Sequence, residues 1–445
     1  MSIASAKRSV LGKRQMSVAG AAVRLAVSNL AIPASAVLTG PILARALGPA
    51  GRGSLAAVLA PLQLVPMVIT FGIPQALTYV VATGRTSAAH ARRLALVFGL
   101  FAGVVSAVGV IALTPTLLHR YPHQQNLLIV LSLTLPIIMS LGNLRYVAQG
   151  TGRYDLMTRE RWFSVLVRLV LIALFAVIGV LTVGAAAWFT HGVAVVATLL
   201  LLPVFGERGK DASEHQPRRK VTRLVIRYGM ATWLGTVGGV LVNRLDQVLL
   251  TPLAGPRQLG YYAVAVSIAE VPLVALLAVR DVIFAASADR GDTALVARAS
   301  RATILVSVPL CIVGIALAPF VVPPIFGHAF EPAVRMTQVL FVATIPNAIS
   351  LVLTAGLLAA GRPAITSVAQ LAAAAVTAIA LFVLVPPLGA IGAAYSSLLA
   401  YAVAAVLVSL GVARVSHLRP RELLVPRRAD LVYIVTRVRG RLSAL

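Results

Sequence analysis

The feature that most constrains this chain is a succession of long apolar runs, each bounded by a short charged or Pro/Gly-rich stretch. A run of about 20 apolar residues matches the hydrocarbon core of a bilayer, and roughly twelve such runs fit into the sequence. A water-soluble chain keeps about a quarter of its residues charged. Here 12% are charged, 59% are hydrophobic and the mean hydropathy is +0.92. Nothing alternates with period two, so a β-barrel does not fit. The sequence predicts an all-α polytopic membrane protein of about twelve transmembrane helices.

The formal net charge of +26 first suggests nucleic acid. No basic patch is interleaved with exposed aromatics, so no nucleic-acid partner is expected. Counting helices places most Lys and Arg on one side of the membrane. Two fall within spans and five on the far side: Arg45, Arg52, Arg120, Arg257 and Arg335. That asymmetry predicts that both termini lie on the cytoplasmic side of the membrane. The single Cys311 forms no intrachain disulfide and reads as a small packing residue. Lys7, Arg8, Lys13 and Arg14 followed by Ala34-Ser35-Ala36 imitate a cleaved signal peptide. The apolar run continues to Leu47, however, and predicts an uncleaved first span.

Residues 1–18 read as a basic tail, 19–205 as a first lobe of six spans, and 206–223 as a polar cytoplasmic linker. Residues 224–413 read as a second six-span lobe and 414–445 as another basic tail. In that tail Leu431, Ile434, Val438 and Leu442 recur at helical spacing, with Arg428, Arg437, Arg439 and Arg441 on other faces. The pattern fits an interfacial helix on anionic inner-leaflet lipids, and equally a disordered basic tail.

The lobes look like copies. Pro49 and Gly53 correspond to Pro256 and Gly260, Val65-Pro66 to Val271-Pro272, and Arg92 to Arg298. Gly152-Arg153 corresponds to Gly361-Arg362 and Gly184 to Gly389, all in order and at nearly constant offset. An even number of spans per copy makes these parallel repeats around an axis along the membrane normal, an arrangement found in transporters.

The turn Leu47-Gly48-Pro49-Ala50-Gly51-Arg52-Gly53, the triplet Arg244-Leu245-Asp246, Gly260-Tyr261-Tyr262 and Gly389-Ala390-Ile391-Gly392-Ala393-Ala394 carry a resemblance. Over about residues 20–413 the chain resembles the polysaccharide flippases of the MOP exporter superfamily. That resemblance implies two six-helix lobes around a central cavity opening alternately to either side, and an oligosaccharide on undecaprenyl diphosphate as substrate. The lipid II flippase branch carries an Arg-rich first helix, matched here only by Arg24 and Arg45. The multidrug and toxin extrusion branch often uses an acidic residue in first-lobe helices, whereas no Asp or Glu precedes Asp155.

A lipid diphosphate needs positive charge in its carrier's cavity, which Arg supplies through a planar, always-protonated fork. Depth nominates Arg24, Arg145, Arg168, Arg244 and Arg280. Arg168 fits either snorkelling to the interface or a place in the cavity. Asn29, Gln63, Gln75, Tyr79, Asn143 and Asn347 are candidates for a sugar path, although such residues taken singly are more often interhelical hydrogen bonds. His191 reads as such a bond. At about 100° per residue, Asn243, Arg244 and Gln247 share a helix face while Asp246 points away from Arg244. Glu270, entering at a similar depth, is expected as the counter-charge for Arg244. Phosphate or a proton would then release it and bias the lobes, whereas a permanent packing bridge is the alternative.

No metal-ligand cluster, nucleophile–base pairing or P-loop occurs, so neither an enzyme nor a cofactor is expected. Gly235, Gly238 and Gly239 read as helix packing. The reading is a flippase for lipid-linked oligosaccharide, working with polysaccharide polymerase and chain-length machinery. Lipid II flipping and ion-coupled drug export are same-fold alternatives. A membrane glycosyltransferase or polymerase is a weaker one, because the outer loops are short.

Overall fold

In hydrocarbon every backbone polar group needs a partner within the protein, so apolar runs of this length become helices. The computed structural model describes residues 3–206, 217–273, 293–427 and 430, with side chains from residue 35 onward except 36, 218, 231, 232, 293 and 294. Among the described residues there is helix and no strand. The helices are α1 (Ile3–Ile69), α2 (Ile73–Ala82), α3 (Ala88–Leu117), α4 (Pro122–Ser132), α5 (Leu135–Gly142), α6 (Leu144–Thr151) and α7 (Tyr154–Val177). Next come α8 (Val183–Ala187), a π-turn, α9 (Val193–Ala197) and a 3₁₀ stretch to Gly206. The second half contains α10 (Arg218–Ala254), α11 (Pro256–Ala269), α12 (Thr293–Phe326), α13 (Ala333–Ala359), α14 (Pro363–Leu388), α15 (Ala390–Ser416) and the short α16 (Pro420–Leu424).

Eight segments among the described residues are long and apolar enough to cross a membrane, and nine if the bent pair Arg219–Met230 and Trp233–Ala254 counts as one span. The expected twelve is not reached by this measure, and one of the three shortfalls arises because the first two expected spans run together through Gly48 in α1 and count as one segment. Helix α7 carries Arg159, Glu160, Arg161 and Arg168, and α11 has only 14 residues. Large apolar side chains such as Val177, Phe320, Val368 and Ile379 are exposed on the outside of the bundle, where a lipid-facing surface belongs. The chain is a multi-pass membrane protein.

Helix α1 runs through Pro33 and Pro41, and its one non-helical residue is Gly48, at φ 65° and ψ 179°. Arg298 and Arg301 belong to α12. Arg301 is buried and donates from Nε to Asp430, beyond α16, at 2.6 Å.

A second break falls at Phe71 and Gly72, both with positive φ. Near it the Val68 carbonyl accepts a 2.6 Å hydrogen bond from the Trp233 indole, a side-chain contact of the kind that steadies a broken span. Gly235 and Gly238 let α10 approach α14 closely: an added Cβ would lie 2.8 Å from Ser367 Oγ and 2.9 Å from the Gln370 backbone.

The largest core joins α1, through Leu55, Val58 and Leu62, to α11, through Tyr262, Val264 and Ala265. It crosses between the two halves of the sequence where their turns meet. Gly255, joining α10 to α11, has φ 85° and ψ 167°, nearly the geometry of Gly48. Positive φ at both positions is what glycine supplies without a Cβ penalty.

Candidate functional site

Where α1, α10 and α11 face one another beside α7, they enclose a cavity of about 240 Å³. Arg52, Arg168, Arg244 and Glu270 line it together with Gln63, Gln247 and Thr190. Three guanidinium groups and one carboxylate leave an excess of positive charge. Arg168 donates to the Ser35 hydroxyl through Nη2. Its Nε, like that of Arg52, is buried without a hydrogen-bond partner among the described residues. Leaving such donors unsatisfied costs about 1–3 kcal/mol each, and more for charged groups. The arrangement is therefore suited to an anion with several acceptor oxygens.

Arg244 lies 3.5 Å from Glu270, with side-chain exposures of 35% and 46%. At those exposures the pair is a cavity-lining contact, not a buried bridge. Asp246 is separate. Its carboxylate is buried and accepts from the Tyr262 hydroxyl, from Ser397 Oγ at 3.3 Å and from the Gln247 backbone N at 2.7 Å. Helical geometry thus divides Arg244 and Asp246 between the cavity and the core of the second half.

Arg244 also borders a second, larger cavity of about 570 Å³ between α10, α13, α14 and α15. Asn243 lies there, accepting from Tyr401 Oη at 3.2 Å and donating to Gly239 O at 2.7 Å. Asn243, Arg244 and Gln247 therefore fan out from one helix into two adjoining spaces, with Arg244 common to both.

Other nominated residues lie elsewhere. Arg145 does not line the cavity holding Arg168 and Arg244. Its guanidinium forks onto Glu160, at 3.1 Å from Nε and 2.6 Å from Nη2. Asn143 donates to Ala95 O at 3.3 Å and ties α5 and α6 to α3. The physical reason is the same for both: each has an acceptor on a neighbouring helix of its own half, and depth alone does not reveal it. The side chains of Arg24 and Asn29, and Arg280 altogether, lie outside the described residues, as do Leu431 to Leu442 of the tail. His191 meets Thr134 Oγ1 at 2.9 Å.

Arg52, which helix counting places among the far-side charges and does not nominate for the site, lines the cavity. The kink at Gly48 is so tight that the next helix has already begun by Pro49, so Arg52 sits one turn inside a span. The tight Gly48-Pro49 pair was the available signal.

Residues 19–289, more than half of the chain, match the family described as polysaccharide biosynthesis protein. The chain belongs to that family. No curated protein matches it significantly. Among solved structures, this polysaccharide biosynthesis protein is similar to an inward-facing multidrug resistance MATE family transporter of the MOP superfamily. The two share 17% identity over 88% of this chain and 98% of that one, with a TM-score of 0.68. It is similar to the lipid II flippase MurJ in an inward closed conformation at 11% identity, covering 89% of each chain, with a TM-score of 0.68. A MOP superfamily transporter from Pyrococcus furiosus, described as having a binding pocket of reverse polarity, shares 15% identity over 89% of this chain and 95% of that one, with a TM-score of 0.59. At such identities the likeness establishes the fold: a helical, polytopic MOP-type architecture.

Proposed function

We propose that this polysaccharide biosynthesis protein is a flippase that carries undecaprenyl-diphosphate-linked oligosaccharide units from the cytoplasmic to the outer leaflet of the bacterial cytoplasmic membrane. The observation that carries the reading is the cavity with Arg52, Arg168 and Arg244: the buried Nε donors of Arg52 and Arg168 have no hydrogen-bond partner among the described residues. A diphosphate supplies acceptor oxygens and negative charge that such a site lacks. The two lobes, residues 19–205 and 224–413, move about the cavity by alternating access, with the polar linker and both termini at the cytoplasmic face. Basic tail residues then meet anionic inner-leaflet lipids, and a polymerase with its chain-length regulator receives the product.

Glu270 holds Arg244 in the empty cavity. Phosphate competes for the same guanidinium, frees the carboxylate, and changes the relative energies of the two lobe arrangements. Cationic drug export fits less well, because three arginines against one glutamate repel a cation. Lipid II shares the diphosphate chemistry and is the alternative cargo. No reaction is assigned to the protein, and no cofactor.

The test is reconstitution into liposomes with undecaprenyl-diphosphate-linked N-acetylhexosamine in both leaflets. A membrane-impermeant enzyme that modifies the exposed sugar should consume about half of it in protein-free vesicles and nearly all of it with the protein. Consumption that stays at half would overturn the reading. Equal or faster movement of lipid II would move the cargo to the peptidoglycan precursor.

A further inference from the structure

We infer that the second cavity, between α10, α13, α14 and α15, is a receptor for the uncharged sugar portion of the cargo. This rests on the proposed flippase activity and specifies where, and for what chemistry, the glycan is recognised. The wall is unusual for a membrane-embedded lobe. Asn243, Asn347, Thr366, Ser367, Gln370 and Tyr401 all face the space, and among the described residues Arg244, at its junction with the first cavity, is its one charged lining residue.

Side chains of this kind inside a bundle normally hydrogen-bond across helices. Here two do not. Thr366, 6% exposed, and Thr354 both line the cavity, and each has a buried Oγ1 with no hydrogen-bond partner among the described residues. A buried hydroxyl without a partner is costly, and a sugar hydroxyl or acetamido group supplies both a donor and an acceptor. The volume is within the range of sites for compact ligands.

The absence of charge sets specificity. A uronic acid or sulfated sugar placed beside these amides and hydroxyls would be desolvated without a cation to pair with, other than Arg244. A neutral sugar loses nothing comparable. Because Arg244 borders both cavities, a diphosphate held by Arg52, Arg168 and Arg244 places the first sugars at the mouth formed by Asn243 and Arg244. One wall residue group therefore reads phosphate and the adjoining one reads sugar.

The experiment compares binding of undecaprenyl diphosphate, bare or carrying a neutral N-acetylhexosamine disaccharide, to purified full-length protein and to Thr366→Val and Gln370→Leu. Unfolding temperature and gel filtration serve as folding controls, and Ser367→Ala replaces either variant that misfolds. Wild type should bind the glycosylated carrier about tenfold more tightly than the bare one, and the variants should lose that preference while keeping affinity for bare carrier. A preference that survives in the variants, or an equal loss for both ligands, would overturn the inference and leave the flippase reading standing. A disaccharide of uronic acids should confer no preference on wild type; if it does, neutral-sugar selectivity is wrong. If wild type binds neither carrier, the flippase reading fails. Titration with the free neutral disaccharide then decides the cavity's role: saturable binding lost in Thr366→Val supports it, and no binding ends it.

Discussion

Gly53 and Gly260 cross backbone to backbone at the point where the two halves of the chain meet. A Cβ on Gly53 would press on the Pro256 carbonyl and come within 2.8 Å of Gly260 N; a Cβ on Gly260 would press on the Pro49 carbonyl and come within 3.1 Å of Gly53 N. The contact is reciprocal. Each glycine meets the proline that opens the other's helix, as a two-fold relation between repeats requires. The kinks that deliver these helices, Gly48 and Gly255, share an unusual backbone geometry. The sequence correspondence of Pro49 with Pro256 and Gly53 with Gly260 therefore has a spatial counterpart.

Replacing Gly260 with alanine should force α1 and α11 apart, because the obstructing atoms are backbone and have no rotamer to escape into. Overpacking of this kind costs about 1–3 kcal/mol. A lower unfolding temperature in detergent for Gly260→Ala and Gly53→Ala is expected, with Gly239→Ala, where nothing lies within 4 Å of an added Cβ, as the insensitive control. Because alanine has the higher helix propensity, an unfolding temperature for Gly260→Ala no lower than that of Gly239→Ala would show that the crossing carries no such cost.

Much of this was legible in the residues. Apolar runs predict helices directly, and the Pro49/Pro256 and Gly53/Gly260 pairs mark the repeat. Angular spacing on one helix separates Arg244 from Asp246, and the structure holds Asp246 with Tyr262 and Ser397. Depth in the membrane was a poorer guide. It grouped Arg145 with Arg168 and Arg244, although Glu160, on the next helix in sequence, lies close enough to engage it. It also left Arg52 out of the site, because a kink at a single glycine uses fewer residues than an ordinary loop and starts the next helix at once. Ion pairing across helices and the sharpness of a turn are tertiary properties, and one-dimensional counting does not contain them.

Glu270→Gln should leave folding unchanged and abolish flipping. With both partners substantially exposed, the Arg244–Glu270 pair contributes about 0–1 kcal/mol to stability. Its removal frees Arg244 in the empty cavity and cancels the competition between carboxylate and phosphate. The sugar-accessibility assay should fall to the protein-free level while the unfolding temperature stays within a degree or two. A marked drop in unfolding temperature would instead identify a structural bridge.

Arg145→Ala should behave in the opposite way. Glu160 is nearly buried and would lose both hydrogen bonds from its partner. Removing one member of a buried pair typically costs about 3–5 kcal/mol, since a carboxylate is left uncompensated. Reduced folded yield and a lowered unfolding temperature are expected, with partial recovery in Arg145→Met/Glu160→Leu, where both charges are absent. Normal stability combined with lost carrier binding would return Arg145 to the cavity.

The segment after α15 should undock in acid. The Asp430 carboxyl is held below its ordinary range, chiefly by hydrogen bonds from Arg301, with a further one from the Arg427 backbone. A depressed carboxylate pKa stabilises the docked form above the unperturbed value of about 3.9, and that contribution is lost as pH falls through the lowered value. Anisotropy of a probe attached at Val425→Cys should therefore be flat from neutral pH to about 4 and fall below it. Asp430→Asn should be mobile throughout. A transition centred near pH 6 would contradict the Arg301–Asp430 attachment.

Arg52 provides the most direct test of the charged cavity, because its nomination comes from structure and not from helix counting. Its buried Nε has no partner among the described residues, so its removal breaks no hydrogen bond from that atom. Arg52→Ala should accordingly leave the unfolding temperature unchanged or raise it. Hydrogen bonds from a charged group contribute about 1.5–3 kcal/mol, so affinity for undecaprenyl diphosphate should weaken by about ten- to a hundredfold. Arg52→Lys should recover part of that loss, since it restores charge but not the planar fork. Undecaprenol, which lacks phosphate, should bind wild type and Arg52→Ala alike. An alanine variant that binds the diphosphate normally would mean that Arg52 packs beside the cavity without recognising what enters it.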